Sequence, residues 1–201
     1  MDVLILVLLV ACGLWVVRST EQRRRIALLG RSLGQYQIET LMETLTQGYL
    51  RALGEDDPER RQQILNMLNS AEQSVALQFG SFATEFARLD EAQTRVSKLS
   101  VALPFADRLF PQATFDVRKA FSIHARGLAQ AASNELDRSP RDKAFTMSAE
   151  LLLMQHTCHW FCRSLTTASA RTLMRHQTPY AQLVASVAPA TRRDYEALLR
   201  G

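Results

Sequence analysis

The amino-acid sequence predicts an all-α protein, in which one N-terminal membrane-anchor helix is followed by an antiparallel bundle of about four helices. The chain opens with an uninterrupted apolar run from Val3 to Val17. Beyond it, apolar residues recur at alternating spacings of three and four, which is the period of a helix that buries one face. The six prolines fall near breaks in this pattern, so each break is interpreted as the end of a helix.

The apolar run is the first element, over residues 1–18. As a helix, its fifteen residues would span ~22 Å, against ~30 Å for the hydrocarbon core of a bilayer. Trp15 is placed to lie at the membrane interface, and Arg18 can extend its side chain back to the headgroups. Local thinning of the bilayer can absorb the mismatch, so the segment is predicted to cross the membrane.

Two other fates of this segment stay open. A cleaved secretory signal carries basic residues before its apolar run, whereas here they follow it. A lipoprotein signal is suggested by Leu9-Val10-Ala11-Cys12, in which Cys12 would carry the lipid. Cys12 lies very early in the chain, however, and the apolar run continues beyond it. The uncleaved anchor is therefore favoured.

Basic residues on one side of the apolar run predict its orientation. Arg18, Arg23, Arg24 and Arg25 all follow the run, and none precedes it. Since basic residues are retained on the cytoplasmic side, we expect a single-pass protein of the inner (cytoplasmic) membrane. Its N-terminus would face out and its domain would lie in the cytoplasm. Binding of anionic lipid headgroups is a second possible role for these arginines, although their role as a topology signal is enough to explain them.

Composition indicates a folded domain in a reducing compartment. The chain of 201 residues is 47% hydrophobic and 22% charged, with a net charge of +4. Beyond residues 23–25 it has no basic tract that would suggest a nucleic-acid partner. Cys158 and Cys162 lie one helical turn apart, a poor geometry for a structural disulfide. The bias of arginine over lysine indicates a bacterial source.

Residues 19–57 are predicted to form a membrane-proximal segment, with a helix from Thr20 to Leu53. Asp57-Pro58 then gives the N-cap and first-position proline of a second helix, which is predicted to continue to Pro104. At ~45 residues it would be ~65–70 Å long. Its apolar positions, at near-heptad spacing, are Ile64, Leu68, Ala71, Val75, Phe79, Phe82, Phe86 and Leu89, followed by Val96 and Leu99.

Two further helices complete the predicted bundle over residues 58–178. The third runs from Gln112 to Asp137. The fourth begins at Ser139-Pro140, a second cap-plus-proline signal, and ends near Gln177. Residues 179–201 are predicted to form a short helical tail.

A histidine and cysteine cluster at residues 156–162 is the one candidate chemical site. It holds two of the four histidines and two of the three cysteines, the residue types that bind zinc and softer metals. On one helix, Cys158 and Cys162 face the apolar seam, while His156 and His159 turn away from it. A partial metal site would combine a pair from this cluster, either Cys158 with Cys162 or His159 with Cys162, with His124 of the third helix. The favoured alternative makes the cysteines core residues and both histidines partly exposed.

Other polar residues have simpler interpretations. Glu85 and Glu150 each precede a seam residue, so both are expected to be solvated. The sequence has no Gly-rich phosphate loop, His-Glu-x-x-His or Glu-x-x-His pair, and no catalytic residue or cofactor is predicted.

The predicted function is that of a membrane-anchored cytoplasmic helical bundle that acts as an interaction or scaffolding module rather than an enzyme. Its expected partners are the membrane and a second protein or another copy of the chain. The alternative is a metal- or ligand-binding helical sensor that uses residues 156–162.

Overall fold

The computed structural model describes residues 2–100 and 105–201. This part of the chain is predominantly helical, which confirms the all-α class. The helices are α1 (Asp2–Leu33), α2 (Ile38–Leu53), α3 (Pro58–Phe86), α4 (Glu91–Thr94), α5 (Ala106–Leu109), α6 (Val117–Ser133), α7 (Pro140–Cys162), α8 (Leu165–His176), α9 (Tyr180–Ser186) and α10 (Pro189–Arg200). Two short strands, β1 (Arg95–Ser97) and β2 (Thr114–Asp116), form an antiparallel pair.

The two predicted cap-plus-proline signals begin helices. At the start of α3, the Asp57 carboxylate accepts a hydrogen bond from the Glu59 N–H at 2.9 Å. At the start of α7, the Ser139 hydroxyl accepts one from the Asp142 N–H at 3.2 Å. These bonds satisfy backbone donors that a helix leaves free at its N-terminus.

The predicted membrane-proximal helix, residues 20–53, is two helices. Its first part is continuous with the apolar run in α1, and the chain breaks at residues 34–37 before α2. Glycine at position 34 disfavours continuation of the helix. The Gln37 N–H donates instead to Gln78 Oε1 of α3 at 2.7 Å, so a contact outside the helix stabilises the break.

The prediction of one 45-residue second helix is wrong, because α3 ends at Phe86. The predicted end of that helix at Pro104 lies outside the described residues. Asp90 caps the separate one-turn helix α4, and the chain then enters β1. Val96 is therefore a strand residue, paired with Phe115. Three-residue strands are too short to show the alternation that identifies a strand in a sequence.

The third and fourth predicted helices are also shorter than expected. α6 begins at Val117 and ends at Ser133, where Asn134 takes a left-handed conformation with φ of 52°. The predicted fourth helix is two helices, α7 and α8, which are separated at Arg163 and Ser164. The Ser164 hydroxyl caps α8. Ser and Asn favour such termini because their side chains replace backbone partners.

The helix α7 is the centre of the domain. It contacts α1, α2, α3, α6, α8 and α9, so the predicted arrangement of four antiparallel helices is not confirmed. An aromatic cluster joins α3, α6 and α7, with neighbouring ring centroids 5.1–6.0 Å apart. Its members are at most 1% exposed and comprise Phe79, Phe82, Phe86, Phe121 and Phe161.

The helix α1 has two halves with different surroundings. Residues 3–17 are exposed, and α1 is long and apolar enough to cross a membrane, with a mean hydropathy of 2.3 in its most apolar window. Farther along, Leu29 is only 6% exposed, because this half packs against α7. Gln22 lies beside Arg163, and Arg25, which is farther along α1, lies over the ring of Phe161, which is earlier in α7, so α1 and α7 are antiparallel.

Candidate functional site

A groove of about 510 Å³ lies between α1, α2 and α7. Its volume falls within the range of ligand pockets in proteins. The lining is mainly apolar, and the side chains that form its walls are Ile26, Leu29 and Leu33 of α1, Ile38 and Met42 of α2, and Met154 of α7. The break between α1 and α2 sets these walls at an angle and opens the groove.

Three of the four predicted site residues line this groove: Cys158, His159 and Cys162. Burial raises the pKa of Cys162 to about 11 and that of Cys158 further, the latter with a contribution from Cys162. Burial, with Arg171 and Arg175 nearby, lowers the pKa of His159 to about 4. At neutral pH both thiols are therefore protonated and the imidazole is neutral. Nucleophilic attack needs the thiolate, so burial does not activate either cysteine as a nucleophile in this setting.

The fourth predicted residue, His124, lies on another side of α7. Its Nε2 is 2.8 Å from Thr157 Oγ1, so it does not meet the cysteines. Within residues 2–100 and 105–201, no group of three or more His, Cys, Asp and Glu side chains is placed to hold a metal ion. The structure thus brings together the three candidates on α7 and leaves out His124.

A buried polar cluster, formed by His124, Thr157 and Tyr195, joins α6, α7 and α10. All three side chains are 0% exposed. The single Thr157 hydroxyl proton is donated to the Leu153 carbonyl at 3.0 Å. Thr157 therefore accepts from His124 Nε2–H, which assigns the neutral tautomer. Burial lowers the pKa of His124 to about 3, and the closed surroundings fit a structural role.

Glu150 lies in the same interface, and its predicted exposure is wrong because it is fully buried. Its Oε1 accepts a hydrogen bond from the Ala188 N–H at 3.0 Å, at the start of α10. Burial raises the pKa of Glu150 to about 7, although the Ala188 N–H and the neighbouring Thr191 hydroxyl oppose the shift. α6 carries Gly127 at this point, where a Cβ would lie only 2.4 Å from Glu150 Oε2.

His156 was also predicted to be partly exposed, and it is fully buried. Its ring stacks on Tyr180 of α9 with centroids 4.5 Å apart, and Nε2 lies 3.1 Å from Ser169 Oγ of α8. The C-terminal helices therefore cover sides of α7 that a single apolar seam leaves open. In the sequence of α7 no face is consistently polar, and this is the signal that could have indicated that other helices cover it.

The predicted membrane-flanking residues lie along α1. Trp15 is 68% exposed, Arg18 is half-buried, and Arg23 and Arg24 are exposed. Arg25 instead joins the domain, because it pairs with Glu21 at 2.5 Å and lies over the Phe161 ring, 5.7 Å from its centroid.

The candidate site is thus an apolar groove with protonated thiols, set against the half of α1 that packs on the domain. Comparison of the chain with protein-family models, curated proteins and solved structures finds no match.

Proposed function

We propose that this protein is a membrane-anchored interaction module that uses the groove between α1, α2 and α7 to bind a membrane-protein partner. The observation that carries the proposal is the continuity of α1. Its exposed apolar residues 3–17 pass without a break into the half that buries Leu29 against the domain. A continuous helix has no hinge, so the domain would be held at a fixed distance from the bilayer.

The orientation of the proposed anchor follows from the basic residues. Arg18, Arg23 and Arg24 come directly after the apolar run and are not needed in the core. Since such residues are retained on the cytoplasmic side, the protein is proposed to be single-pass in the inner membrane, with its N-terminus out and its domain in the cytoplasm.

The proposed occupant of the groove is the juxtamembrane helix of another membrane protein. The groove begins at Ile26, nine residues after Val17, which corresponds to ~14 Å along a helix. A partner helix that leaves the same membrane reaches this level within three turns. The apolar walls suit the recognition mode in which an amphipathic helix places its apolar face in a groove.

Site-specific photocrosslinking in intact cells tests this proposal. A photoreactive amino acid replaces Met42, which lines the groove, and in a control it replaces Met67 of α3, which is 78% exposed. We expect a crosslink from position 42 to residues directly following a transmembrane helix of one partner, and no such adduct from position 67. Equal labelling at both positions, or adducts only to soluble proteins, would contradict the proposal. An adduct to a second copy would replace the partner with a homo-oligomer.

A ligand- or metal-binding sensor is the second candidate function, favoured by the presence of Cys158, His159 and Cys162 in one groove. Elemental analysis of the purified full chain in detergent separates the two candidates. Stoichiometric metal that is lost in Cys158→Ser/Cys162→Ser would favour the sensor. A metal-free protein whose double mutant is equally stable would remove the metal-binding form of it.

A further inference from the structure

One end of the domain faces the bilayer if α1 crosses it as proposed above. α1 and α7 are antiparallel, and Arg163 at the end of α7 donates to Gln22 Oε1 at 2.9 Å. Gln22 is five residues beyond Val17, or ~8 Å along the helix. The C-terminal end of α7 therefore lies at the end of the domain that is nearer to the apolar run.

The segment around β1 covers this end of α7. Trp160 Nε1 donates to the Ser97 carbonyl at 2.9 Å, and the Thr166 hydroxyl donates to the Ser100 carbonyl at 2.5 Å. α5 packs against β1, and the Arg95 guanidinium donates to the Pro111 carbonyl at 2.9 Å. Residues 97–100 and 105–111 therefore lie at the membrane-proximal end of the domain.

Large apolar side chains are exposed in this segment. Leu99 is 37% exposed, Phe105 51%, Leu109 66% and Phe110 50%. These four residues are called the proximal patch below. Burial of such side chains is favourable, so their exposure together at one end of a domain indicates a surface that contacts something apolar.

Basic residues accompany the proximal patch. Lys98 precedes Leu99 in the sequence, the Arg108 guanidinium lies 6.0 Å from the centre of the Phe105 ring, and Arg163 lies at the C-terminal end of α7. Two acidic groups near the proximal patch are paired, since Glu91 lies 2.9 Å from Arg95 and Asp116 lies 2.7 Å from Arg118. Apolar and aromatic side chains interspersed with lysine and arginine are typical of a surface that enters the headgroup region of an anionic membrane.

We infer that the proximal patch is a second membrane contact, which inserts into the interface of the same bilayer that α1 crosses. The inference rests on the proposed anchoring by α1 and adds a surface to it. Two contacts, one spanning and one interfacial, fix both the height and the rotation of the domain about α1. The groove is then presented at a constant orientation to proteins in the same membrane.

Fluorophore quenching in vesicles tests this contact. The full chain is reconstituted into vesicles of phosphatidylcholine with phosphatidylglycerol, in a background of Cys12→Ser, Cys158→Ala and Cys162→Ala whose folding is checked by circular dichroism. An environment-sensitive fluorophore is attached at Leu109→Cys. In a control it is attached at Met67→Cys, in the N-terminal half of α3, whose C-terminal end lies beside Phe161. We expect a blue-shifted emission and several-fold weaker quenching by iodide at position 109 than at position 67.

A third label, at Val7→Cys in the apolar run, separates failure of the inference from failure of the anchor. Protection at position 7 with full iodide access at position 109 would overturn the membrane contact and leave the anchor standing. Iodide access at position 7 would overturn the anchor, and the inference with it. Protection at position 109 that is lost in Lys98→Gln/Arg108→Gln would support the charge complementarity on which the choice of an anionic surface rests.

Discussion

The two sides of α7 carry polar residues in opposite settings. On the side toward α6 and α10, Thr157 and Glu150 are fully buried and have partners from α6 and the C-terminal helices. On the side toward α1 and α2, Cys158 and His159 line an open groove. Thr157 and Cys158 are consecutive residues, yet one completes a closed interface and the other contributes to a surface that can receive a partner. The closed side should therefore determine stability, whereas the open side should tolerate change.

The largest expected effect is that of Tyr195→Ala on the closed side. Tyr195 is 0% exposed, and its ring lies 5.3 Å from that of His124. Removal of a fully buried aromatic side chain costs ~3–5 kcal/mol, measured as the free energy of unfolding of the full chain in detergent micelles. Met42→Ala, on the open side, is expected to cost about 1 kcal/mol.

Tyr195→Phe is the control for the hydroxyl, which lies 3.3 Å from Thr157 Oγ1. We expect a loss of about 1 kcal/mol, because one buried hydrogen bond is removed and the ring is kept. Equal losses in Tyr195→Ala and Met42→Ala would show that the two sides do not differ.

The helical period identified one side of α7 and missed the others. Met147, Leu151, Met154 and Phe161 follow one another at helical spacings of four, three and seven residues, and they are at most 3% exposed. Periodicity works there because a helix with one buried face repeats its apolar residues at fixed spacing. The breaks between helices near residues 54–58 and 137–140 were also predicted from the sequence, because turns and helix caps depend on residues that are neighbours in the chain. The cysteines and histidines of the candidate site were likewise visible in the sequence.

Glu150 and His156 could not be placed by the same reasoning. Their burial depends on Ala188 and Tyr180, which are more than twenty residues away in the sequence. The spacing of apolar residues shows which face of a helix is buried, but it does not show which elements pack against the helix. A helix that is covered on every side therefore has only a weak period in its sequence. The groove was missed for the converse reason, since it depends on the break after Leu33 and on the angle between two helices.

The second expected effect is the pH dependence of Glu150. Burial raises its pKa from 4.5 to about 7, and each pKa unit corresponds to ~1.4 kcal/mol. The contribution of Glu150 to the free energy of unfolding is fully present below pH 4.5, where its carboxyl is protonated in both the folded and the unfolded state. This contribution is lost as the pH rises to about 7. Glu150→Gln keeps an uncharged acceptor for the Ala188 N–H. We therefore expect the variant to match the wild type at pH 4.5 and to be ~3 kcal/mol more stable above pH 7.

The buried histidines change the stability of the fold in the opposite direction with pH, and they are present in both the wild type and Glu150→Gln. The pKa of His124 is lowered to about 3 and that of His156 to about 4, so each destabilises the fold as the pH falls below 6.5. Subtracting the two pH profiles removes this common effect. A stability difference that does not change between pH 4.5 and 8 would contradict a buried, titrating Glu150.

The smallest expected effect compares one glycine on each side. In Gly127→Ala the new Cβ would lie 2.4 Å from Glu150 Oε2 and 2.5 Å from Thr191 Oγ1, and both groups are held in the buried interface. We expect a loss of ~1–3 kcal/mol from overpacking. In Gly30→Ala, at the groove, no described atom lies within 4 Å of the new Cβ apart from the chain neighbours and the adjacent helix backbone. That substitution should be neutral or stabilise α1 by up to ~1 kcal/mol. Urea unfolding of the two variants measures the difference, and a Gly30→Ala variant as unstable as Gly127→Ala would mean that the groove is closed by contacts of its own.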